Sequence, residues 1–194
     1  MRRARADRIG IVLAAAMLLA PAHAPAQDSK TADRKSIGLK SIDKLLGEGR
    51  YADAERDART AVAEAGAKHG AGSFEVANAM DALVKALALG GRSASAETPS
   101  LARRAVEIKE RTRGPDGRQT ALSLVNLALV LKESGAYAEA RPLFERAQRI
   151  LEQPGKAEDP ALLACINNLA QLLQSSGELD EARKLFERVL AVRE

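Results

Sequence analysis

The chain has 194 residues, of which 46% are hydrophobic, 29% are charged and only 3% are aromatic. This composition excludes a disordered tail, a collagen-like fibre and a protein with several membrane spans. Because the sequence contains no Trp, two Tyr and three Phe, a core must be assembled from many small aliphatic contacts, which favours helices packed closely through Ala.

The first 26 residues have the three parts of a secretory signal peptide. Four arginines precede an apolar run at 9–20, and the small-residue pattern A-x-A follows at 24–26. An uncleaved anchor is the alternative, but such a run rises only about 18 Å, short of the roughly 30 Å hydrocarbon core. We expect cleavage after Ala26 and a periplasmic or secreted mature protein, since an Arg- and Ala-rich signal is typical of bacteria. Only an uncleaved signal segment would connect the protein to a membrane.

The positive charge of the chain is concentrated in this leader. The whole sequence carries 30 basic and 26 acidic residues, and the part after Ala26 keeps 26 and 25 of them. A nearly neutral protein has no basic stripe able to follow phosphates, and the sequence contains neither an aromatic RNA-binding motif nor a zinc-finger spacing. It therefore predicts no nucleic-acid partner.

Internal repeats organise the rest of the chain. When residues 119–152 are laid over 161–194, a shift of 42, 14 of 34 positions are identical. The shared landmarks are NLA, SG, EAR and LFER, in this order. Glycines recur with spacings of 42, 44 and 42, at Gly49, Gly91, Gly135 and Gly177. Self-similarity of this period is typical of stacked helical repeats.

Each unit contains two segments with helical periodicity, one on either side of its glycine. The stripes of the third unit are Leu124, Leu127, Ala128 and Leu131, then Ala140, Leu143, Phe144, Ala147 and Ile150. A glycine between two stripes marks a helix end and a tight turn into an antiparallel partner. Pro142 is expected close to the first turn of the second helix, where a missing N–H costs least. Polar segments at 66–73, 113–118 and 153–160 are predicted to be loops between units.

These landmarks resemble the tetratricopeptide repeat in its longer form of about 42 residues, typified by the kinesin light chain. Asn167-Asn168-Leu169-Ala170 is the full first-helix motif, and the third unit has Val125 in place of the first Asn. The resemblance implies an all-α fold, an α-solenoid of antiparallel helix pairs. We expect a repeat domain at 35–194, behind the signal peptide at 1–26 and a flexible segment at 27–34. Its units, about four, are predicted at 35–66, 74–112, 119–152 and 161–194.

In tetratricopeptide proteins the first helix of each unit lines the concave surface, so the resemblance implies a partner-binding groove there. By carry-over the groove is lined by Asn78, Asp81, Lys85, Val125, Asn126, Leu129, Lys132, Asn167, Asn168, Gln171 and Gln174. Asn and Gln present both a donor and an acceptor, so a ladder of them can hold the backbone of an extended peptide. The alternative is that Asn126 and Asn168 only bond neighbouring helices and stabilise the stack.

The last predicted helix indicates a second kind of contact. Solenoids need a polar cap on the terminal unit, and we expect Leu185, Val189 and Val192 to be partly uncovered there. Such a surface favours end-to-end self-association into a homo-oligomer, or a partner that supplies the missing surface. The alternative is a partly solvated end that the fold tolerates.

No constellation of residues indicates catalysis. After the leader His69 is the one histidine, so the sequence predicts no metal site, and it lacks phosphate-binding and nucleophile motifs. Cys165 is the only cysteine, and its place in a helical stripe predicts a buried, unreactive thiol. We expect no enzyme and no cofactor. Glu139, Glu145, Glu181 and Glu187 are predicted to pair along their helices with Arg141, Arg146, Arg183 and Arg188.

The leading hypothesis is an exported adaptor that binds a peptide or an envelope protein in the concave groove. The alternative is a structural assembly unit that self-associates through its last repeat. Both follow from the helical repeats, because a stack of helix pairs offers one long binding surface and two open ends.

Overall fold

The computed structural model describes residues 38–152 and 159–192, and the predicted signal peptide and flexible segment lie outside this part of the chain. Within it the protein is helical and contains no strand. The helices are α1 (Leu39–Gly47), α2 (Tyr51–His69), α3 (Phe74–Leu87), α4 (Glu97–Arg113), α5 (Arg118–Glu133), α6 (Tyr137–Leu151), α7 (Pro160–Ser175) and α8 (Leu179–Ala191). A π-helical turn at Ala88–Arg92 follows α3. None of these helices is both long and apolar enough to cross a membrane.

The turn inside a helix pair is closed by a glycine in the left-handed region. Gly135 has φ 80°, and its N–H donates to the carbonyl of Lys132 at 3.0 Å. The N–H of Ala136 donates to the carbonyl of Leu131 at 2.9 Å. These two bonds are the Schellman cap, which satisfies carbonyls at the helix end and turns the chain back on itself. Positive φ angles also occur at Gly49, Gly91 and Gly177.

The helix pairs stack into a curved solenoid. The second helix of each pair packs on the first helix of the next, α2 on α3, α4 on α5 and α6 on α7. The first helices of neighbouring pairs also contact each other, whereas the second helices of neighbouring pairs pack less closely. The stack therefore bends toward the first helices. We call the face of α1, α3, α5 and α7 the inner surface and that of α2, α4, α6 and α8 the outer surface.

Small residues at equivalent positions let the helices approach each other. In the second helices these positions are Ala54, Thr98, Ala140 and Ala182, all at most 3% exposed. Phe144 lies one turn further along α6 and is completely buried. A single helix pair cannot cover its own apolar faces, so each pair is stable only against its neighbours.

Long charged side chains cross the wider gap on the outer surface. Arg146 of α6 pairs with Glu110 of α4 at 2.6 Å, and Arg188 of α8 pairs with Glu152 beyond α6 at 2.5 Å. The two contacts are the same contact repeated 42 residues later. Further bridges between second helices are Arg59–Glu97, Arg103–Glu139 and Arg141–Glu181. Exposed pairs of this kind contribute about 1 kcal/mol at most, so they keep neighbouring pairs aligned more than they drive folding.

The predicted pairing of these charges along single helices is confirmed only in part. Arg141 pairs with Glu145 at 2.8 Å, one turn away in α6. However, Arg141 of α6 also pairs with Glu178, the residue before α8, at 2.6 Å. The periodicity of one helix predicts the face on which a charged side chain lies. Its ion-pair partner depends on which residues the neighbouring repeat places opposite that face.

Two expectations about the helices need correction. The segment 66–73, predicted to be a loop, is helical as far as His69, because the Ala and Lys residues around Gly66 are strong helix formers. Pro142 is the sixth residue of α6 and lies in its second turn. The carbonyl of Ala138 loses its helical donor there, but Ala138 is exposed and water can reach it.

The glycine turn generates a stability prediction. Gly135→Val forces a β-branched residue into the left-handed region and should cost about 2 kcal/mol of unfolding free energy. Urea unfolding followed by circular dichroism at 222 nm measures this cost. Gly47→Val is the matched control. A Cβ atom at this position meets no atom within 4 Å, and the backbone there does not have a positive φ. Equal losses in both variants would contradict a conformational role for Gly135.

Candidate functional site

Buried polar side chains join the second and third helix pairs. The carboxylate of Asp81 in α3 accepts hydrogen bonds from Lys109 Nζ of α4 and Ser123 Oγ of α5, both at 2.6 Å. It accepts a third from Asn126 Nδ2 of α5 at 3.1 Å. Asp81 is 7% exposed and Lys109 only 2%. The prediction that Asp81 lines the groove is therefore wrong, because three helices enclose its side chain.

This cluster exists because the repeats differ at its two charged positions. In the register of the repeats, Asp81 corresponds to Val125 and Asn167, and Lys109 corresponds to the buried Leu151. An ion pair thus stands where the later repeats have apolar or neutral side chains. Burying an ion costs several kcal/mol, which the structure offsets by giving the carboxylate two further hydrogen bonds.

The buried carboxylate fixes the orientation of the Asn126 amide. An ionised carboxylate only accepts hydrogen bonds, so Nδ2 must face Asp81 and Oδ1 must point away from it. No described residue donates to Asn126 Oδ1. Asn126 is half-buried and lines an open cavity. Its Nδ2 therefore bonds a neighbouring helix, as the scaffold hypothesis predicts, while the peptide-contact hypothesis for Asn126 stays a prediction.

The cavity beside Asn126 lies on the inner surface, between the C-terminal halves of α3 and α5, and has a volume of about 270 Å³. Its lining is formed by Val84, Lys85, Ala88, Leu89, Asn126, Leu129, Val130 and Glu133. Leu89 belongs to the π-helical turn and is 56% exposed. Lys85 and Glu133 are also exposed, and neither pairs with a described residue. We call this space the α3–α5 cavity.

Sequence reasoning placed Lys85, Asn126 and Leu129 on this surface but missed Leu89 and Glu133. A signal for Leu89 was available, because Leu89 occupies the register of Glu133 and Ser175. An exposed apolar residue thus replaces polar ones in the second unit alone among these three. The cavity itself depends on how far α3 and α5 stand apart, which no single-helix pattern reports.

The other predicted groove residues do not form one continuous ladder. Lys132 Nζ donates to Gln171 Oε1 at 3.0 Å, which bridges α5 and α7. Asn168 Nδ2 donates to the carbonyl of Ala164 in its own helix at 2.8 Å, so it does not bond a neighbouring helix. The side chains of Asn78, Asn167 and Gln174 bond no described residue. The side chains without a partner among the described residues therefore alternate along the inner surface with side chains that are already bonded.

The exposed apolar residues of α8 differ from those predicted. Val189 is 5% exposed and packs into the main core cluster, so the prediction that it is uncovered is wrong. Leu185 and Val192 are half-buried. The exposed side chains are Leu179 and Leu190, at 63% and 58%. The reason is geometric, since Val189 occupies a register position that is buried in every repeat.

Reactive groups are few in the described part of the chain. Cys165 is completely buried, and its Sγ–H donates to the carbonyl of Phe144 at 3.4 Å. Burial raises the pKa of this thiol to about 12, which agrees with the predicted inert cysteine. Among the described residues no three potential ligands gather closely enough to hold a metal ion, and His69 is exposed at the end of α2.

Comparison with known proteins agrees with this architecture. Tetratricopeptide repeat family models match residues 100–153 and 162–194. A kinesin-light-chain-like protein of Podosopora anserina with nearly identical TPR-like repeats, and its Q17M variant, superpose with a TM-score of 0.69. Each is 22% identical over 80% of this chain and 72% of its own. BtubC (BKLC) from P. vanneervenii superposes with a TM-score of 0.67 at 20% identity, over 80% of this chain and 61% of its own.

No curated protein matches the sequence. The family matches identify tetratricopeptide repeats at residues 100–153 and 162–194, and the structural neighbours show that the fold is that of a tetratricopeptide solenoid. Such repeats generally mediate protein–protein interaction and are generally non-enzymatic.

The buried ion pair generates a prediction of coupled stability. Lys109→Leu, which introduces the residue found at this register in α6, should cost about 3–5 kcal/mol because Asp81 is left buried and uncompensated. Adding Asp81→Asn should recover roughly 2 kcal/mol or more, since the amide carries no charge and still accepts from Ser123. Urea unfolding of both single variants and the double variant measures this coupling energy. Strictly additive losses would contradict it.

Burial of Cys165 generates a prediction of reactivity. With the thiol pKa raised to about 12, a fraction of only about 10⁻⁴ is thiolate at pH 8, so the folded protein should not react with Ellman's reagent within an hour. In 6 M urea one equivalent should react. Ala94→Cys places a control thiol at an exposed position and should react at once. Equal rates for both thiols in the folded protein would contradict the buried assignment.

Proposed function

We propose that this protein is an exported interaction module that holds an extended peptide or an envelope protein along its inner surface. The observation that carries the proposal is the α3–α5 cavity with its unpaired edge. Among the residues that the structure describes, Lys85 and Glu133 have no ion-pair partner and Asn126 Oδ1 has no donor, and Leu89 is exposed. A bound partner would remove the apolar Leu89 from water and would supply partners for the three polar groups.

The rest of the inner surface supports binding through spread, modest contacts. The side chains of Asn78, Asn167 and Gln174 lie at intervals along it and bond nothing within the described part of the chain. Amides placed this way suit the backbone of a peptide, which repeats its own N–H and C=O groups and demands little of the side chains. The nearly balanced charge of the chain after residue 26 favours a protein partner over a polyanion.

Export is the second part of the proposal, and it rests on the basic start, short apolar run and A-x-A pattern of residues 1–26. Intact-mass measurement of the protein purified from its own cells tests it. We expect a mature chain that begins at Gln27 in the periplasmic or secreted fraction. A chain that keeps its first 26 residues and sediments with membranes would establish an anchor instead.

Binding along the inner surface is tested by photocrosslinking in living cells. A benzoylphenylalanine residue at position 167 or 174 should crosslink to a partner protein, because both positions lie on α7 and their side chains bond no residue that the structure describes. The matched control is position 149, which is exposed on α6 of the outer surface. Crosslinks of equal yield from inner and outer positions would argue against a groove.

Self-association is a second candidate function, favoured by one observation on α8. Leu179, Phe186 and Leu190 share a stripe with spacings of seven and four residues. Leu179 and Leu190 are exposed and Phe186 is half-buried, whereas Phe144 at the same register of α6 is completely covered. A second copy that covers this stripe would restore the contact that α7 makes with α6.

Light scattering after size exclusion, over a range of concentrations, separates the two functions. Assembly through α8 predicts oligomers that dissociate on dilution and are lost in Leu179→Glu together with Leu190→Glu. The same substitutions should leave crosslinking from position 174 unchanged if the inner surface alone binds the partner. A monomer at every concentration would eliminate the assembly function.

A further inference from the structure

The size and lining of the α3–α5 cavity suit a single aliphatic side chain. At about 270 Å³ it is smaller than the roughly 300–1,000 Å³ of sites that enclose a whole small molecule. Val84, Ala88, Leu89, Leu129 and Val130 form an apolar lining without an aromatic ring, and Lys85 and Glu133 are the charged residues of the same lining. A branched side chain such as Leu, Ile or Val can pack against the apolar lining without leaving a polar atom unsatisfied.

The contact between the second and third helix pairs differs from the next contact at the position of the cavity. At the equivalent place between α5 and α7, the hydrogen bond from Lys132 to Gln171 crosses the gap. In the same register Ala88 corresponds to Lys132, and Leu89 corresponds to Glu133 and Ser175. Ala88 and Leu89 therefore leave space between α3 and α5, whereas the long polar side chains of Lys132 and Gln171 bridge the gap between α5 and α7.

The acceptor at the cavity suits a partner segment with a free backbone N–H. Asp81 takes one N–H of Asn126 and so turns Oδ1, which can only accept, away from itself and toward a partner. An extended chain offers unpaired N–H groups, whereas the N–H groups inside a helix are already bonded to carbonyls four residues earlier. Asp81 is thus a positioning residue, and the geometry selects an extended segment.

Charges on the two walls define the neighbours of the inserted side chain. Lys85 projects from α3 and Glu133 from α5, and both are exposed without an ion-pair partner among the described residues. A segment that crosses from one helix to the other passes a positive charge on one side of the cavity and a negative charge on the other. Complementary charges on the segment fix its register and exclude wrong partners.

We infer that the α3–α5 cavity binds an extended segment of a partner protein carrying one Leu-sized aliphatic residue between an acidic and a basic residue. The aliphatic side chain fills the cavity and a backbone N–H donates to Asn126 Oδ1. The acidic residue faces Lys85 and the basic residue faces Glu133. This inference rests on the proposed function, since it names the chemistry of the segment that the inner surface holds.

The probes are fluorescent nine-residue peptides of Gly and Ser with Asp-Leu-Lys or Lys-Leu-Asp at their centre, titrated into the full chain and followed by anisotropy. Two orders are needed because the chain direction can run either way across the helices. At least one should bind saturably, and replacing its Leu by Ala should weaken binding about tenfold or more. Methylating the backbone nitrogens around Leu one at a time should identify one position that weakens binding about fivefold or more. Equal binding of the Leu and Ala peptides overturns the inference.

Two variants of the protein test the same site from the other side. Ala88→Leu adds bulk to the lining of the cavity and should abolish peptide binding, while Ala138→Leu makes the same change at an exposed position of α6 on the outer surface and should not. Lys85→Glu should weaken the Asp-containing peptide and restore binding to one with Lys-Leu-Lys. A purely structural role for Lys85 predicts no such rescue, and its failure overturns the charge assignment.

The outcomes separate this inference from the proposed function. Crosslinking from positions 167 and 174 without binding of either peptide would overturn the cavity assignment and leave the adaptor function standing. Peptide binding that Ala88→Leu abolishes, together with loss of the cellular crosslinks in the same variant, would support both.

Discussion

The close approach of helices through small side chains is the constraint on which the structure depends. Ala54, Thr98, Ala140 and Ala182 occupy one register and are almost completely buried. With no Trp and three Phe in the sequence, the core has few large side chains besides Phe144, so its stability is mostly the sum of many short aliphatic contacts. Such contacts fall off steeply with distance, which is why each pair must lie directly against the next.

The curvature of the stack divides the protein into two kinds of surface. On the outer surface the helices are further apart, and arginines such as Arg146 and Arg188 reach across to glutamates of the preceding pair. These side chains pair with one another. On the inner surface the helices meet more closely, and among the described residues the side chains of Asn78, Asn167 and Gln174 bond no other residue.

Departures from the repeat, rather than the repeat itself, create the candidate site. The Asp81–Lys109 pair replaces side chains that are neutral or apolar in later units, and Leu89 replaces polar ones. The buried charge orients Asn126, and the exposed Leu89 walls the cavity beside it. A pattern search that looks for agreement between units assigns Asn126 to the groove but gives no reason to connect it with Asp81, because that bond joins residues 45 apart.

The sequence by itself determined the helical repeat and its glycine turns, because these follow from local periodicity and from φ > 0 at residues such as Gly135. It also indicated the burial of Cys165. The inner position of the first helices was implied by the resemblance to tetratricopeptide repeats. The tertiary structure decided that Asp81 and Val189 are buried, that Asn168 bonds its own helix, and that a cavity opens beside Leu89. Those outcomes depend on the spacing between helices and on which side chain of the next repeat fills each gap, and one helical stripe carries no information about either.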